Sequence, residues 1–239
     1  MIPLWEPKPS HKTPWVTWTV LLLCGAGFVF HRTRDPYTQQ AWLEALAFVP
    51  DLVDKSDEML GPWTRALSAL WLHTSVAHLA INALYLWVFG DRVESRLGHV
   101  RFASLFVISG LGGAVAQWAT TPEASVPMVG ASAAIAGILA ARLLLYPREP
   151  ITVWNLLRIE PLPAWMPVCG WFFVQSVATW VGMRNVAVGR TAANAAHLGG
   201  FFVGLAVTAL FLAFERLRPG KSQSNEGADA DSDASIAGI

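Results

Sequence analysis

The sequence predicts an all-α polytopic membrane protein, a bundle of six transmembrane helices with a partly embedded first outer loop. Of its 239 residues, 54% are apolar and 14% are charged, whereas an average soluble domain has about 25% charged residues. The mean hydropathy is +0.41, and the 12 Trp residues belong to a type enriched where a bilayer meets water. Six helices of about 20 residues would use about half the chain. This composition argues against a water-soluble enzyme.

Charge and cysteine content argue against several other classes of protein. The 17 basic and 17 acidic residues create no overall basic field, so we expect no nucleic-acid partner. Cys24 and Cys169 both lie in apolar runs and do not indicate a disulfide framework. No CxxC or HExxH spacing occurs, and the sequence therefore predicts no metal site at the cysteines.

Six apolar segments are predicted to span the membrane. The first follows Lys8 and Lys12 and is followed at once by Arg32, with no small-residue cleavage site after it. We therefore interpret it as a retained helix rather than a signal peptide. The predicted spans, numbered one to six in chain order, cover residues 15–30, 75–90, 102–119, 132–146, 165–182 and 193–214.

The chain divides into three predicted parts. A membrane domain covers residues 14–216 and contains a long outer loop, residues 31–72, with amphipathic stretches suited to the membrane interface. A polar segment, residues 1–13, precedes this domain. Residues 217–239 are rich in Ser, Asp, Ala and Gly and contain no aromatic residue, so we expect a disordered cytoplasmic tail.

The distribution of Lys and Arg predicts the orientation of the spans. With the N-terminus inside, the inner segments carry eleven of these residues and the outer segments six, so both termini are predicted to be cytoplasmic. Spans two, four and six then all enter from the outer face. Polar residues near their starts therefore lie at a similar depth, whatever their separation in sequence.

Four polar residues near these starts are candidates for a reactive site, because polar groups inside a membrane are costly. His78 and Asn82 are four residues apart and so face the same side of span two. Ser132 begins span four, and His197 lies about one turn inside span six. A serine hydroxyl becomes a good nucleophile when a base such as neutral histidine takes its proton. No acidic residue lies in these spans near this depth, so we predict a Ser–His dyad without Asp.

Acyl transfer also needs hydrogen-bond donors for a developing oxyanion. The Asn82 amide and a His78 ring N–H are such donors. The backbone N–H groups around Ser132 have no partner within their helix and are further donors. Gly130 permits the backbone to approach a substrate without an intervening side chain.

Small residues in spans four and six would bring the two members of the dyad together. Ala133 and Gly137 are four residues apart in span four, and Gly200 and Gly204 have the same spacing in span six. Such a spacing of small residues permits close contact between helix backbones in membranes.

Taken singly, the four polar residues also have structural interpretations. A serine at a helix start is commonly a cap, and histidine or asparagine in a span often hydrogen-bonds to a neighbouring helix. The convergence of four candidates from three helices at one depth favours a reactive site.

Five short motifs occur in order along the chain. They are Trp63-Thr64-Arg65, His73-x4-His78-x3-Asn82, Glu94-Ser95-Arg96-Leu97-Gly98, Gly130-Ala131-Ser132 and Ala196-His197-Leu198-x-Gly200-x3-Gly204. Together they resemble the pattern of the rhomboid intramembrane serine proteases, and the resemblance covers about residues 14–216.

The resemblance implies roles for these residues within a six-helix rhomboid-like bundle. Ser132 is expected to be the nucleophile and His197 the general base. His78, Asn82 and the Ser132 backbone N–H are expected to form the oxyanion hole. Arg65 is expected to be structural within the partly embedded first loop. Residues expected to support the site are Gly130, His73, Arg65, Glu94, Arg96, Gly200 and Gly204.

Span five and the loop before span six are expected to form the substrate gate. Bulky residues in span five suit this position, although packing against the membrane is the favoured interpretation of them. They are Trp171, Phe172, Phe173 and Trp180.

Two positions depart from the family pattern. Ala133 follows the serine where the family commonly has Gly, and it removes no reactive group. Ala136 stands where many members carry an aromatic residue that stacks on the catalytic histidine. Another residue must therefore orient His197, or its orientation is looser.

The resemblance implies a serine endopeptidase of the inner (cytoplasmic) membrane that needs no cofactor or metal. Its partners would be the lipid bilayer and membrane-protein substrates, chiefly single-span proteins, which reach a site open to the outer face. One alternative is a catalytically silent rhomboid-like protein that binds membrane helices for quality control. Another is a transporter with a histidine proton relay, although no internal repeat is seen. A protease that trims C-terminal sorting tails is a third.

Overall fold

The computed structural model describes residues 1–6, 13–55, 61–184 and 194–217. The predicted tail beyond Leu217 and most of the loop before the last helix lie outside the described residues. Over the described residues the fold is mainly helical. Its α-helices are α1 Trp15–Arg32, α2 Pro36–Leu46, α3 Gly61–Ala69, α4 Val76–Leu97, α5 His99–Thr120, α6 Ser132–Leu145, α7 Trp165–Arg184 and α8 Asn194–Leu217.

Each of the six predicted spans coincides with a helix, namely α1 and α4 to α8. Among the described residues, α1, α5 and α8 are the helices long and apolar enough to cross a membrane. Helix α6 is apolar but has 14 residues, and α4 carries charged residues in its last two turns. The chain is thus a membrane protein with apolar helices, while the count of six spans stays a prediction.

Helix α6 lies at the centre of the bundle, packed between α5 and α8. Every residue from Ala133 to Arg142 is buried, as expected for a helix that is apolar on all sides. Gly200 and Gly204 of α8 lie directly against α6. A Cβ atom on Gly200 would overlap the backbone of Ala133, and one on Gly204 would overlap Gly137. The small residues at four-residue spacing therefore meet in this contact.

The all-α prediction is wrong in one respect, because the fold contains a three-stranded antiparallel sheet. Its strands are β1 Ile2–Trp5, β2 Pro150–Trp154 and β3 Ile159–Pro163, in the order β1-β2-β3. The β2–β3 hairpin joins α6 to α7, so the sheet lies beyond the end of α6 that is away from Ser132. We name this the sheet end of the bundle and the opposite end the serine end. Strand β1 pairs with β2 although about 150 residues separate them in sequence. No local sequence pattern predicts such a pairing.

The outer loop contains two helices where amphipathic stretches were noted, α2 and α3. Arg65 of α3 donates from Nη1 to the backbone oxygen of Glu44 in α2, at 3.0 Å, and so ties the two helices together. Phe48 exchanges two backbone hydrogen bonds with Met128, at 3.1 and 2.7 Å. The loop therefore supports the segment that leads into Ser132.

Candidate active site

Ser132 and His197 meet at the serine end of the bundle. Ser132 is the first residue of α6, and His197 lies in the first turn of α8. The distance from His197 Nε2 to Ser132 Oγ is 2.8 Å. The close backbone contact between α6 and α8 allows two residues far apart in sequence to come within hydrogen-bond distance.

The other ring nitrogen of His197 has a partner that sequence analysis missed. The distance from His197 Nδ1 to Gln175 Oε1 on α7 is 2.9 Å. Because an amide oxygen only accepts, this contact requires the proton on Nδ1 and leaves the Nε2 lone pair facing the Ser132 hydroxyl. A signal was available, since Gln175 is a strongly polar residue inside a predicted span.

The aromatic neighbour of His197 comes from α7, since Ala136 has no ring to stack on the histidine. The ring of Trp171 lies 5.9 Å from that of His197, centroid to centroid, with 45° between their planes. Trp171 is one turn before Gln175, so the two side chains reach His197 from the same face of α7.

The bulky residues predicted in span five divide into two groups. Phe172 packs on Phe201 of α8 at a centroid distance of 4.7 Å, and Trp171 lies against His197, so these two half-buried residues pack against α8. Phe173 and Trp180 are 66% and 55% exposed and fit the interpretation of packing against the membrane.

Potential oxyanion donors surround Ser132. His78 and Asn82 both line the cavity that contains the serine. The Asn82 amide nitrogen lies 3.0 Å from Nε2 of the buried His73. This contact uses one of the two N–H bonds of the Asn82 amide and fixes the orientation of that side chain. Helix α6 begins without a side-chain cap, so the N–H groups of its first turn stay available.

Gly130 lies two residues before Ser132 and packs against His78. Its φ is +109°, a conformation that side chains disfavour. A Cβ atom there would lie 2.6 Å from His78 Cε1. The Gly130 N–H donates to the Ala69 oxygen at 2.8 Å, which holds the segment against the outer loop.

A cavity of about 190 Å³ opens over these groups. It lies between α4, α6 and α7 and has room for a small side chain and a few water molecules. Its lining residues are His78, Ile81, Asn82, Tyr85, Ser132, Ile135, Leu139, Trp171, Gln175 and His197.

Two of the expected supporting residues lie far from the cavity, at the sheet end. The carboxylate of Glu94 is fully buried and accepts from Thr17 N at 2.8 Å and Thr17 Oγ1 at 2.7 Å, which joins α4 to α1. Arg96 Nη2 pairs with Glu215 Oε2 of α8 at 2.8 Å. Both therefore brace helix ends and do not contact the Ser132–His197 pair.

A family model and several known proteins match this sequence. The family model described as Rhomboid domain matches residues 60–214. The chain is 30% identical over 230 residues to RHOMBOID-like protein 5 of Arabidopsis thaliana, covering 82% of this chain and 68% of that protein. It is 32% identical over 193 residues to Rhomboid protease GlpG of Salmonella typhi, and the match covers 80% of this chain and 61% of that protein.

A shorter match reaches a second named protease. Over 83 residues the chain is 41% identical to Rhomboid protease GluP of Bacillus subtilis, which covers 35% of this chain and 16% of that protein. The matched region is therefore less than two thirds of the length of each of these two proteases.

The fold, the paired serine and histidine and these matches define a membrane protein of a family that includes serine proteases. The chain belongs to the Rhomboid family.

Proposed function

We propose that this protein is an intramembrane serine endopeptidase that uses a Ser132–His197 dyad. The observation that carries the proposal is the 2.8 Å contact between Ser132 Oγ and His197 Nε2. This contact lies in a cavity lined by further polar groups. Relatives named Rhomboid protease support the reaction class.

The first half of the reaction forms an acyl-enzyme. His197 Nε2 takes the hydroxyl proton while Ser132 Oγ attacks the peptide carbonyl carbon. The carbonyl oxygen becomes an oxyanion, which the Asn82 amide, a His78 ring N–H and the Ser132 backbone N–H stabilise. The imidazolium then gives its proton to the leaving amine nitrogen, and the C–N bond breaks.

The second half releases the acyl group. Water attacks the ester carbonyl carbon, and His197 Nε2 takes a proton from that water. Collapse of the second tetrahedral intermediate breaks the bond to Ser132 Oγ, which recovers its proton from His197. Gln175 accepts from Nδ1–H throughout, so that it favours the imidazolium in both halves.

The substrates in this proposal are single-span membrane proteins with a small residue at the cleavage site. We place the enzyme in the inner membrane as a six-span domain over residues 14–216, with both termini cytoplasmic and the cavity open to the outer face. Water then reaches the acyl-enzyme from that face.

Cleavage of a single-span reporter in proteoliposomes tests the proposal. The parent should cut the reporter, whereas Ser132→Ala and His197→Ala should each lose activity by at least about a thousandfold. Ser104→Ala is the matched control, because its hydroxyl donates to the Val100 oxygen on α5 and should keep full activity. Cleavage by Ser132→Ala at the parental rate would contradict the proposal. A folded parent that binds the reporter without cutting it would favour the silent helix-binding alternative.

A further inference from the structure

A second and larger cavity lies at the sheet end of the bundle. Its volume is about 300 Å³, and it is enclosed by β1, the start of α1 and the last turns of α4. On α4, Asp91 lies nine residues beyond Asn82, which is about 13 Å along the helix axis. The cavity is therefore separate from the Ser132 site. Its lining residues are Trp5, Glu6, Pro14, Thr17, Trp18, Trp87, Val88 and Asp91.

Three indole rings from three different elements form the walls of this cavity. Trp5 comes from β1, Trp18 from α1 and Trp87 from α4. They are 51%, 42% and 57% exposed, so each ring also meets the surroundings of the protein. Indole faces attract organic cations within about 6 Å of the ring centre.

A carboxylate oxygen without a hydrogen-bond partner also lies at the cavity. Asp91 Oδ1 is buried and has no hydrogen-bond partner among the described residues. The adjacent Arg92 does not neutralise it, because its guanidinium donates to both oxygens of Glu149 at 3.1 and 2.8 Å. A buried carboxylate oxygen is costly when it has neither a hydrogen-bond donor nor a positive charge beside it.

The second acidic group of the cavity, Glu6, is paired with a cation but is largely buried. Glu6 accepts from Arg142 Nε at 2.7 Å through Oε1. Burial nevertheless raises the pKa of Glu6, and the attraction of Arg142 opposes this only in part. A further cation in the cavity would favour the ionised form of Glu6.

We propose that this cavity binds the ammonium headgroup of a membrane phospholipid. The rings supply cation–π contacts, and Asp91 supplies the counter-charge. A lipid is the occupant that the position favours, because the half-exposed Trp18 lies in the first turns of α1 and Trp87 lies near the end of predicted span two, where indole rings meet lipid headgroups. An amine attached to a lipid is held at that depth, whereas a soluble amine is not.

Native mass spectrometry of the detergent-purified protein tests this proposal. The protein is mixed with equal amounts of phosphatidylethanolamine, phosphatidylcholine and phosphatidylglycerol with identical acyl chains. We expect the parent to retain an ammonium lipid at least about fivefold more than phosphatidylglycerol, the ratio expected of a partly exposed cation–π site. Retention of the ethanolamine lipid indicates hydrogen bonding to Asp91, and retention of the choline lipid indicates ring contacts; both support the proposal.

Matched variants make the result specific to the cavity. Asp91→Asn and Trp87→Leu should reduce the preference to about equal retention of the three lipids. Glu123→Gln removes one charge from an exposed residue outside the cavity. Trp165→Leu removes an indole that is 47% exposed at the start of α7. Both controls should keep the parental preference, and thermal melting of each variant verifies folding.

Two results would overturn the proposal. The first is equal retention of all three lipids by the parent, and the second is an unchanged preference in Asp91→Asn and Trp87→Leu. The test is independent of proteolytic activity.

Discussion

Gln175 and His197 join the helix α7 to the candidate dyad through one hydrogen bond of 2.9 Å. The acceptor is a neutral amide oxygen, where many serine hydrolases have a carboxylate. It orients the imidazole and fixes its tautomer without placing a charge in the membrane. Any displacement of α7 away from α8 breaks this bond, so the position of α7 and the readiness of His197 are linked.

Gln175→Leu should lower kcat by about 10- to 100-fold, with a smaller effect on KM. The reason is the loss of a hydrogen bond to a group that becomes charged, which is worth about 1.5–3 kcal/mol. Gln175→Glu should retain activity because a carboxylate accepts the same bond. Steady-state cleavage of the reporter in proteoliposomes measures both.

Ser176→Ala is the control for this prediction. Ser176 is the next residue on α7, and its hydroxyl donates to the Phe172 oxygen at 2.9 Å. An equal fall in kcat for Gln175→Leu and Ser176→Ala would assign the effect to α7 as a whole and contradict the role of Gln175.

Gly130→Ala should abolish most activity, whereas Gly98→Ala should not. Both glycines have positive φ, +109° and +82°, so each substitution should destabilise the fold by about 1–3 kcal/mol. At Gly130 the added methyl would also lie 2.6 Å from His78 Cε1, while at Gly98 nothing lies within 4 Å. Thermal melting and reporter cleavage, measured on both variants, separate strain from damage to the site. Equal activity in the two variants would mean that His78 does not contribute to the reaction.

Gly200→Ala should force α6 and α8 apart and separate Ser132 from His197. The new methyl would overlap the backbone of Ala133, and overpacking of this kind costs about 1–3 kcal/mol. Gly25→Ala on α1 is the control, since no atom lies within 4 Å of its Cβ position. We expect a lower melting temperature and lost cleavage only for Gly200→Ala. A parental melting temperature for Gly200→Ala would refute the close helix contact.

Trp171→Leu should reduce cleavage by about 2- to 10-fold, because the imidazole loses its aromatic neighbour. Phe173→Leu provides the comparison on the same helix, since Phe173 is 66% exposed and has no ring partner in the described part of the chain. Initial rates with the reporter measure both effects. If Phe173→Leu lowers the rate as much as Trp171→Leu, substrate access rather than His197 explains the result.

Local and regularly spaced features of this fold can be predicted from the sequence. Helix α6 begins at Ser132, where the polar serine followed by an apolar run predicted a span to begin. Gly200 and Gly204 were selected by their spacing, and they lie directly against the backbone of α6. These features succeed because the membrane imposes length and small-residue spacing on the chain itself.

Features that depend on distant pairing were missed for physical reasons. The β1 strand pairs Ile2 with Trp154, and nothing near Ile2 indicates a partner so far along the chain. Gln175 was overlooked because its side chain acts on a residue of another helix, and only the packing of α7 on α8 brings them together. The place of Trp171 beside His197 follows from that same packing.

Labelling with a fluorophosphonate probe tests the central claim most directly. The account predicts one adduct on the detergent-purified parent, located at Ser132 by peptide mass spectrometry. It predicts no adduct on folded Ser132→Ala or His197→Ala, because the hydroxyl is reactive only with its base. An adduct at another residue, or undiminished labelling of His197→Ala, would contradict the proposed dyad.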